Sequence, residues 1–588
     1  MNIIIFDFEV YKYDTLLGAL EVRPEGNKVY QTWDPTDMQL YYQQHSNDVW
    51  IGHNNSTYDN WILDAVMTNK NPYERSKKII EGKERLWNAP FPQYNFDLMG
   101  VCKVSLKVME AYCGKNIHET DVDFNLDRYL TDEEKRSEEA YNKDDLLQTY
   151  DDFVFGYDNF ALRLGVIKEF KLPLKKALGW TGTRLAEEVL HAQKTPGIEN
   201  WVVKPKLYPQ LRVKNQAVID YYLNDKFRTN EKLTVTLCGV EHKLGAGGIH
   251  GAKEKYYCAN ALYFDVSGYY NLVMLNYDLL PRSIPDEYKK LYEYMYHEQL
   301  RLKKIDPAKR GVYKTILLSV FGAMMNPHCR FYDPYNGLLV TITGQLFLVD
   351  LLEKLEGKIE VIQSNTDGVI AELLPGHTRE EVIAIIDEWQ HRTGFVLKVE
   401  DIHDVYQRDV NNYLYKDDTE WVHTLGEAVK DYGKWEFPFW RSSCAAKEPF
   451  ILAYCIVNFL LEGKSPEETI EENKRSLRMF QKIAKKQSYE WLEYEETFVD
   501  GHVEVTTVQN VNRVFAKKPG DSWGMVYQRK SSGRTTKAKV TCAPDSCFIY
   551  NDEILSEEAV NKLVNEIDYD WYVKRAYEKI NAFLGEAV

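Results

Sequence analysis

The chain is poor in cysteine: nine are scattered through 588 residues, with no Cys-x-x-Cys pair. That excludes a disulfide-stapled scaffold, gives no zinc-ribbon signature and fits a reducing compartment. Long apolar runs are also missing. No stretch reaches the roughly 18 residues needed to span a bilayer. The longest candidate, Phe450 to Leu461, carries Asn458 and reads as a buried helix. Met1-Asn2-Ile3-Ile4-Ile5 runs straight into acidic residues, so no signal peptide is expected. Basic charge is in deficit, with 73 Lys plus Arg against 89 Asp plus Glu, a net charge of −16. This argues against a surface coated in nucleic-acid-binding charge. It leaves room for enzymes that gather basic residues locally and use carboxylates to hold metal ions. Internal repeats and low-complexity tracts are absent.

What is present is an ordinary globular composition. Hydrophobic residues make up 44% and charged residues 28%, which excludes global disorder. Length alone suggests about four domains. The 41 tyrosines supply rings for cores and for stacking on bases. The chain opens with a buried-strand pattern, Ile3-Ile4-Ile5-Phe6, that ends in Asp7-Phe8-Glu9. Thr131-Asp-Glu-Glu134 is a capping box that predicts a charged helix from about Asp132 to Phe153. A basic stretch from Lys168 to Lys214 follows, then a Gly-rich loop, Gly245 to Gly251, and a strand, Tyr263 to Val266. Two helices are expected over about Asp286–Lys304 and Ala308–Met324, with Asp306 as N-cap and Pro307 at the first helical position. Ile359–Gln363 and Val369–Leu373 read as paired strands around the turn Ser364–Gly368. Beyond about 436 the chain reads as helical, then mixed.

Two constellations carry chemistry. In the first, Asp7 and Glu9 sit two apart at a strand end, so both side chains share a face. Asp59 lies in the polar string His53-Asn54-Asn55-Ser56-Thr57-Tyr58-Asp59-Asn60, and Tyr141 and Asp145 are four apart on the long helix. Each alone is a common surface feature. Together they are the set needed to hold two divalent ions about 3.5–4 Å apart from separate elements. In the second, Asp265 ends an apolar strand and Asp367 sits in a hairpin turn. Between them runs a basic segment: six basic residues from Arg301 to Lys314, with Arg310 and Lys314 on one helical face. Such cations can neutralise a triphosphate.

The order Asp-x-Glu, Asn-x-x-Tyr-Asp, Tyr-x-x-x-Asp resembles the three motifs of proofreading 3′–5′ exonucleases. By that resemblance Asp7, Glu9, Asp59 and Asp145 are metal ligands, Tyr141 orients the attacking water, and Asn55 lies near the primer end. The segments Asp265-Val-Ser-Gly268-Tyr269-Tyr270, Lys314-x-x-x-Leu318-Ser319-x-Phe321-Gly322 and Asn365-Thr366-Asp367-Gly368 resemble the polymerase motifs of family B DNA polymerases. Thr343-Gly344-Gln345 and Ser364–Gly368 look like the compact enzymes of bacterial viruses. Three departures stand out: Asn365 replaces an Asp, Leu318 replaces an Asn, and Gly268 removes a hydroxyl. The rival family A carries an adjacent His-Asp-Glu that is absent here.

The resemblance implies an α/β and α+β multidomain architecture. A ribonuclease H-like exonuclease spans 1–155. A connector and start of palm with a template-contacting loop at Gly247 and Gly248 spans 156–255. Palm covers 256–283 and 324–435, fingers 284–323, and thumb 436–588. Asp265 and Asp367 would hold two Mg²⁺, with two more at the exonuclease site and Mn²⁺ able to substitute. Lys314, with Arg301 or Arg310, would contact the triphosphate, and Tyr270 would gate the sugar. Tyr413 would contact the primer, and the basic segment Arg513–Val540, with Lys517, Lys518, Arg529 and Lys530, would contact duplex phosphates.

Protein-primed members carry two insertions between the polymerase motifs. Here the gaps from Asp265 to Lys314 and from Gly322 to Asn365 leave little room for them. The expected partners are therefore an ordinary primer–template, deoxynucleoside triphosphates, and a processivity or helicase/primase protein, around a monomer in the host bacterial cytoplasm. Two alternatives stay open: a nuclease whose polymerase half has decayed, and a protein that only holds DNA.

Overall fold

The computed structural model describes residues 1–83, 89–194, 205–223, 231–420, 422–425, 448–532 and 534–585. The expected boundary at 435/436 lies outside these residues. The chain is a mixed α/β protein of two compact units. The first comprises Met1–Thr181, Phe439–Ile451 and Ile470–Tyr572; the second comprises Gly182–Pro438, Leu452–Thr469 and Val573–Val588. The stretch expected as a separate C-terminal region is thus divided between them. No helix among the described residues is long and apolar enough to cross a membrane.

In the first unit, β1 (Ile3–Val10), β2 (Thr15–Val22), β3 (Lys28–Thr32), β4 (Val49–Gly52) and β5 (Asn95–Asp97) form one sheet in the order β3-β2-β1-β4-β5. β1, β2 and β3 are successively antiparallel; β4 runs parallel to β1, and β5 parallel to β4. The strand period of two explains how β1 is used. Ile4, Phe6, Phe8 and Val10 enter a core with Met38, Tyr41 and Trp50. Asp7 and Glu9 point to the other face, which the helix Asp132–Phe155 covers. That helix starts on the predicted capping box, with both reciprocal bonds made. Gly18 allows it close: a β-carbon there would lie 1.8 Å from Asn142 Oδ1.

In the second unit, nine strands build one antiparallel sheet. They are β6 (Leu233–Leu237), β7 (Val240–Leu244), β8 (Ile249–Ala252), β9 (Tyr256–Val266), β10 (Ile359–Asn365), β11 (Gly368–Leu373), β12 (Leu397–Asp409), β13 (Asn412–Asp417) and β14 (Val422–Leu425). Their order is β14-β13-β12-β9-β11-β10-β8-β7-β6. β6 to β8 belong to the same sheet as β9, so the region read as connector and start of palm ends inside that sheet. The predicted hairpin is β10–β11, turned at Thr366-Asp367 with Thr366 at φ 59°. The two predicted helices are Asp286–Arg301 and Pro307–Ala323, and Asp306 caps the second by accepting from the Lys309 amide. The helix Pro334–Leu355 is buried along almost its whole length.

The remainder of the first unit is mostly strand. β15 (Lys482–Lys485), β18 (Val511–Ala516) and β21 (Cys547–Ile549) form a three-stranded sheet. β16 (Trp491–Phe498), β17 (Val503–Val508), β19 (Ser522–Ser532) and β20 (Arg534–Lys539) form another, in the order β17-β16-β19-β20. The late basic segment therefore lies on β18 to β20. The helix predicted around Asn458 runs Phe450–Glu462.

Two candidate active sites, one in each unit

β1 and the long helix bring the first constellation together. One carboxylate oxygen each from Asp7, Glu9 and Asp145 lie within 4.8 Å of one another. Asp59, at the start of the helix Asp59–Met67, accepts from the Phe8 amide at 3.2 Å, which ties it to β1 between Asp7 and Glu9. The loop before it is shaped by Asp97, whose two oxygens accept from the amides of Asn54 (2.9 Å) and Ser56 (3.1 Å). Burial and then Asp145 push the Asp7 carboxyl up to about 7. Burial and the charge of Asp7 hold Glu9 and Asp59 well above the usual carboxylate range. Crowded, desolvated carboxylates of this kind fit a site for divalent cations, which would repay the cost of ionising them.

Three residues here carried no clear sequence signal. Lys107 donates to Asp145 at 2.8 Å, reaches Glu110 at 3.1 Å and lies 4.3 Å from the centre of the Tyr141 ring. Burial works against its charge, but Asp145 and Glu110 hold its pKa above the usual lysine range. Burial and Asp145 push Glu110 up to about 8. Asn142 donates to Asp7 at 3.0 Å. The one available hint was a lone Lys–Glu pair at i,i+3 in the otherwise apolar run Leu106–Cys113.

Asn55 is fully buried beneath Gly52 and donates to Asn95 at 2.8 Å, bracing the loop.

The raised pKa values set a sign for pH. A carboxylate held at about 7 must lose its proton before it can bind a cation. The metal-free first unit favours protonated Asp7, so Mg²⁺ should add more thermal stability at pH 8 than at pH 6. Below pH 7 the Mg²⁺ concentration needed for half-maximal effect should rise by roughly tenfold per pH unit. Thermal melts over a Mg²⁺ series at the two pH values check this, and equal shifts at both would refute it.

In the second unit, Asp265 on β9 pairs in register with Gly368 on β11, next to Asp367. The Val266 amide donates to the Asp367 carbonyl at 3.0 Å, locking the turn to β9. Burial, then Asp367, push Asp265 up to about 6. Asp367 is open to solvent at the tip of the turn, yet enough protein surrounds it to raise its carboxyl as well. Lys398 is the cross-strand neighbour of Asp265 on β12.

The Gly-rich loop meets this turn. The Thr366 amide donates to the Ile249 carbonyl at 3.1 Å, and a β-carbon on Gly248 would lie 3.0 Å from Thr366 Oγ1. The buried Gln345 anchors the loop, donating to the Gly245 carbonyl at 2.7 Å and accepting from its amide at 3.2 Å. Thr341 adds a bond to the Ala246 carbonyl at 2.7 Å. Gly247 is exposed.

Tyr270 follows Gly268, which sits at φ 64°, a conformation that favours glycine. The Tyr270 ring stacks on Phe321 at 4.2 Å, and burial and the charge of Asp367 raise its hydroxyl pKa. Tyr413 on β13 also feels Asp367, and its ring is parallel to Tyr415 at 6.3 Å.

The basic residues divide. Lys314 is exposed one turn from Leu318, itself 61% exposed, on the face of the helix that leads to Phe321. Arg310 keeps a buried Nε without a partner. Arg301 instead pairs with Glu298 through two bonds of 2.8 and 2.9 Å.

Most of the late basic segment's named cations have partners within the protein. Lys517 donates to Glu496 (2.7 Å) and Ser522 (2.6 Å), Lys518 to the Asn565 carbonyl (2.8 Å), and Arg529 pairs with Glu493. Arg513 is fully buried and donates to main-chain carbonyls of Ala111, Lys115 and Asp552. Acidic β16 lies beside β19 and neutralises it. Of the four named residues, Lys518 and Lys530 are exposed with no ion pair among the described residues.

Comparison of the chain with protein-family models returns no match, and comparison with curated proteins returns none either. Among solved structures, the chain is similar to the family B DNA polymerase from the hyperthermophilic archaeon Pyrobaculum calidifontis. The identity is 14%, the TM-score 0.44, and the match covers 99% of this chain and 78% of that one.

Proposed function

We propose that this chain is a DNA-dependent DNA polymerase of the family B kind with a 3′–5′ proofreading exonuclease, acting in phage DNA replication in the host cytoplasm. The observation that carries this reading is the pairing of Asp265 with the Asp367 turn across β9 and β11, in a chain whose other unit gathers Asp7, Glu9 and Asp145 within 4.8 Å. Carboxylates from separate elements on one point are what phosphoryl transfer requires. The first sheet's order, β3-β2-β1-β4-β5, supports a ribonuclease H-like exonuclease, and the long antiparallel sheet supports a palm.

Asp265 and Asp367 would hold two Mg²⁺ at one site; Asp7, Glu9, Asp59 and Asp145 would hold two at the other. Bound there, the ions supply an activated primer hydroxyl or water and neutralise the charge on the leaving oxygen. The chain's own groups do the rest. Lys107 fixes Asp145, and Tyr141 faces the same carboxylates to orient water. Lys314 presents its ammonium to the triphosphate. The Gly247–Gly248 loop, held by Gln345, offers backbone to the template beside Asp367. Primer–template DNA and deoxynucleoside triphosphates are the partners, with a processivity or helicase/primase protein expected besides.

The decisive experiment is a gel of a 5′-labelled primer–template with Mg²⁺, with and without the four nucleotides. Lengthening with nucleotides and shortening without them are expected. Shortening in both lanes would make the chain a nuclease. The sugar gate has its own test. Tyr270, braced by Phe321, should exclude a 2′-hydroxyl, so Tyr270→Ala should raise ribonucleotide incorporation at least about tenfold. Unchanged sugar selectivity in single-turnover assays would sink that role.

A further inference from the structure

The first unit holds a cluster of metal-ligand chemistry that neither candidate site uses. A ring nitrogen of His53, the sulfur of Cys102 and a carboxylate oxygen of Asp152 lie within 4.8 Å of one another. All three side chains are buried: His53 is 7% exposed, Asp152 2% and Cys102 1%. His53 Nε2 is 2.9 Å from the Val104 carbonyl, which can only accept, so Nε2 carries the hydrogen. That leaves Nδ1 facing the cluster, where it has no hydrogen-bond partner. Asp152 is arranged the same way. Its Oδ1 accepts from Gln148 at 2.6 Å, while Oδ2 is buried without a partner. A carbonyl or amide on the outer atom, with a lone pair aimed inward, is the arrangement that orients metal ligands.

The two inward atoms, His53 Nδ1 and Asp152 Oδ2, are 3.9 Å apart. That is too far for a shared proton. It is close to the separation of two ligands around one tetrahedral zinc ion, roughly 3.5 Å for bonds of about 2.0–2.3 Å. Burial favours the neutral imidazole, the form that binds metals. The third group is a thiol, and sulfur with imidazole selects zinc over the hard Mg²⁺.

We propose that His53, Cys102 and Asp152 form a Zn²⁺ site. Binding deprotonates Cys102: the S–H proton leaves to solvent as the S–Zn bond forms. Cys113 is not one of the three converging groups; its sulfur accepts from Gln148 at 3.6 Å. The ion ties the loop after β4 to the short helix Met99–Cys102 and to the C-terminal end of the helix Asp132–Phe155. Asp59 lies six residues beyond His53 and Asp145 seven before Asp152, so the clamp fixes elements that carry two of the four carboxylates. No Cys-x-x-Cys spacing announces it, because its ligands come from three separate elements.

The test is metal content of the full chain, expressed with zinc and purified without chelator, measured by plasma mass spectrometry. About one zinc per chain is expected. Cys102→Ala and Asp152→Asn should each lose it, while Asp7→Ala should keep it, which separates this site from the carboxylate cluster. Loss of Cys102 risks unfolding, so the parental chain loaded with Co²⁺ is the second measurement. A thiolate-to-cobalt charge-transfer band is expected. Folded parental chain with neither zinc nor that band would overturn the proposal. So would zinc that survives both substitutions, or a Cys102–Cys113 disulfide in the unreduced chain.

Discussion

Asp367→Asn should lower nucleotide incorporation by at least about 10³-fold, while degradation of single-stranded DNA continues at the parental rate. The substitution is nearly isosteric, and its site is a two-residue turn that asparagine tolerates. The turn is held by main-chain bonds, Val266 to the Asp367 carbonyl and Thr366 to the Ile249 carbonyl, which the change leaves alone. What is lost is one of two facing charges. Asp265 is raised to about 6 partly by Asp367, so it should titrate lower in the variant, nearer an ordinary aspartate. The carboxylates proposed to serve degradation, Asp7, Glu9, Asp59 and Asp145, belong to the other unit. Single-turnover extension and degradation of a labelled single strand, run side by side, measure both arms. Incorporation within tenfold of the parent would remove Asp367 from the site; loss of both activities would mean that the change acts on folding.

Local signals were legible and long-range ones were not. The apolar run Ile3–Phe6 ending in Asp7-Phe8-Glu9, the capping box at Thr131 and Glu134, the Asp306–Pro307 helix start and the Asn-Thr-Asp-Gly turn all act within a few residues, and each lies in an element of the expected type. The candidate carboxylates sit on those elements, so their convergence could be anticipated. Lys107 could not be found this way. Its partner Asp145 is 38 residues away, and beyond the lone Lys107–Glu110 pair in an apolar run neither segment marks the approach of the two helices. Lys517 and Arg529 looked like phosphate ligands because their neutralising partners, Glu496 and Glu493, are set by the register of β16 on β19, and register is a tertiary property. Gln345 was noticed as part of a string, but only a buried amide facing Gly245 explains it. A buried polar side chain declares its role through its partner, not through its neighbours in sequence.

Glu9→Gln separates catalysis from stability at the other site. Degradation should fall at least about 10³-fold, because a neutral amide replaces one of the carboxylates gathered for divalent ions. Without metal at pH 8, the same variant should melt at least ~2 °C higher than the parent. Burial, Asp7 and Asp145 all press against an ionised Glu9, so folding at high pH has to accommodate an unfavourable charge. The amide carries none, and it can donate to Asp7 as a protonated Glu9 does. The sign follows from linkage. The penalty sets in as pH rises through the unfolded-state pKa of about 4.3, where only the unfolded chain releases the proton, and is complete above the folded-state pKa of Glu9. The gain should therefore be much smaller at about pH 5 than at pH 8, and vanish below about pH 4, where folded and unfolded chains both keep the proton. Mg²⁺ should also close the gap at pH 8, since the parent then has a cation to face and the variant has lost a ligand. Asp145→Asn is the instructive contrast. It removes a like charge too, but it strips Lys107 of its 2.8 Å partner, so it should destroy degradation without the stability gain. Melting curves at pH 5 and pH 8, with and without Mg²⁺, decide the matter. A Glu9→Gln chain no more stable than its parent at pH 8 would mean that these carboxylates are not in conflict, and that the case for a divalent-ion site on β1 must rest on geometry alone.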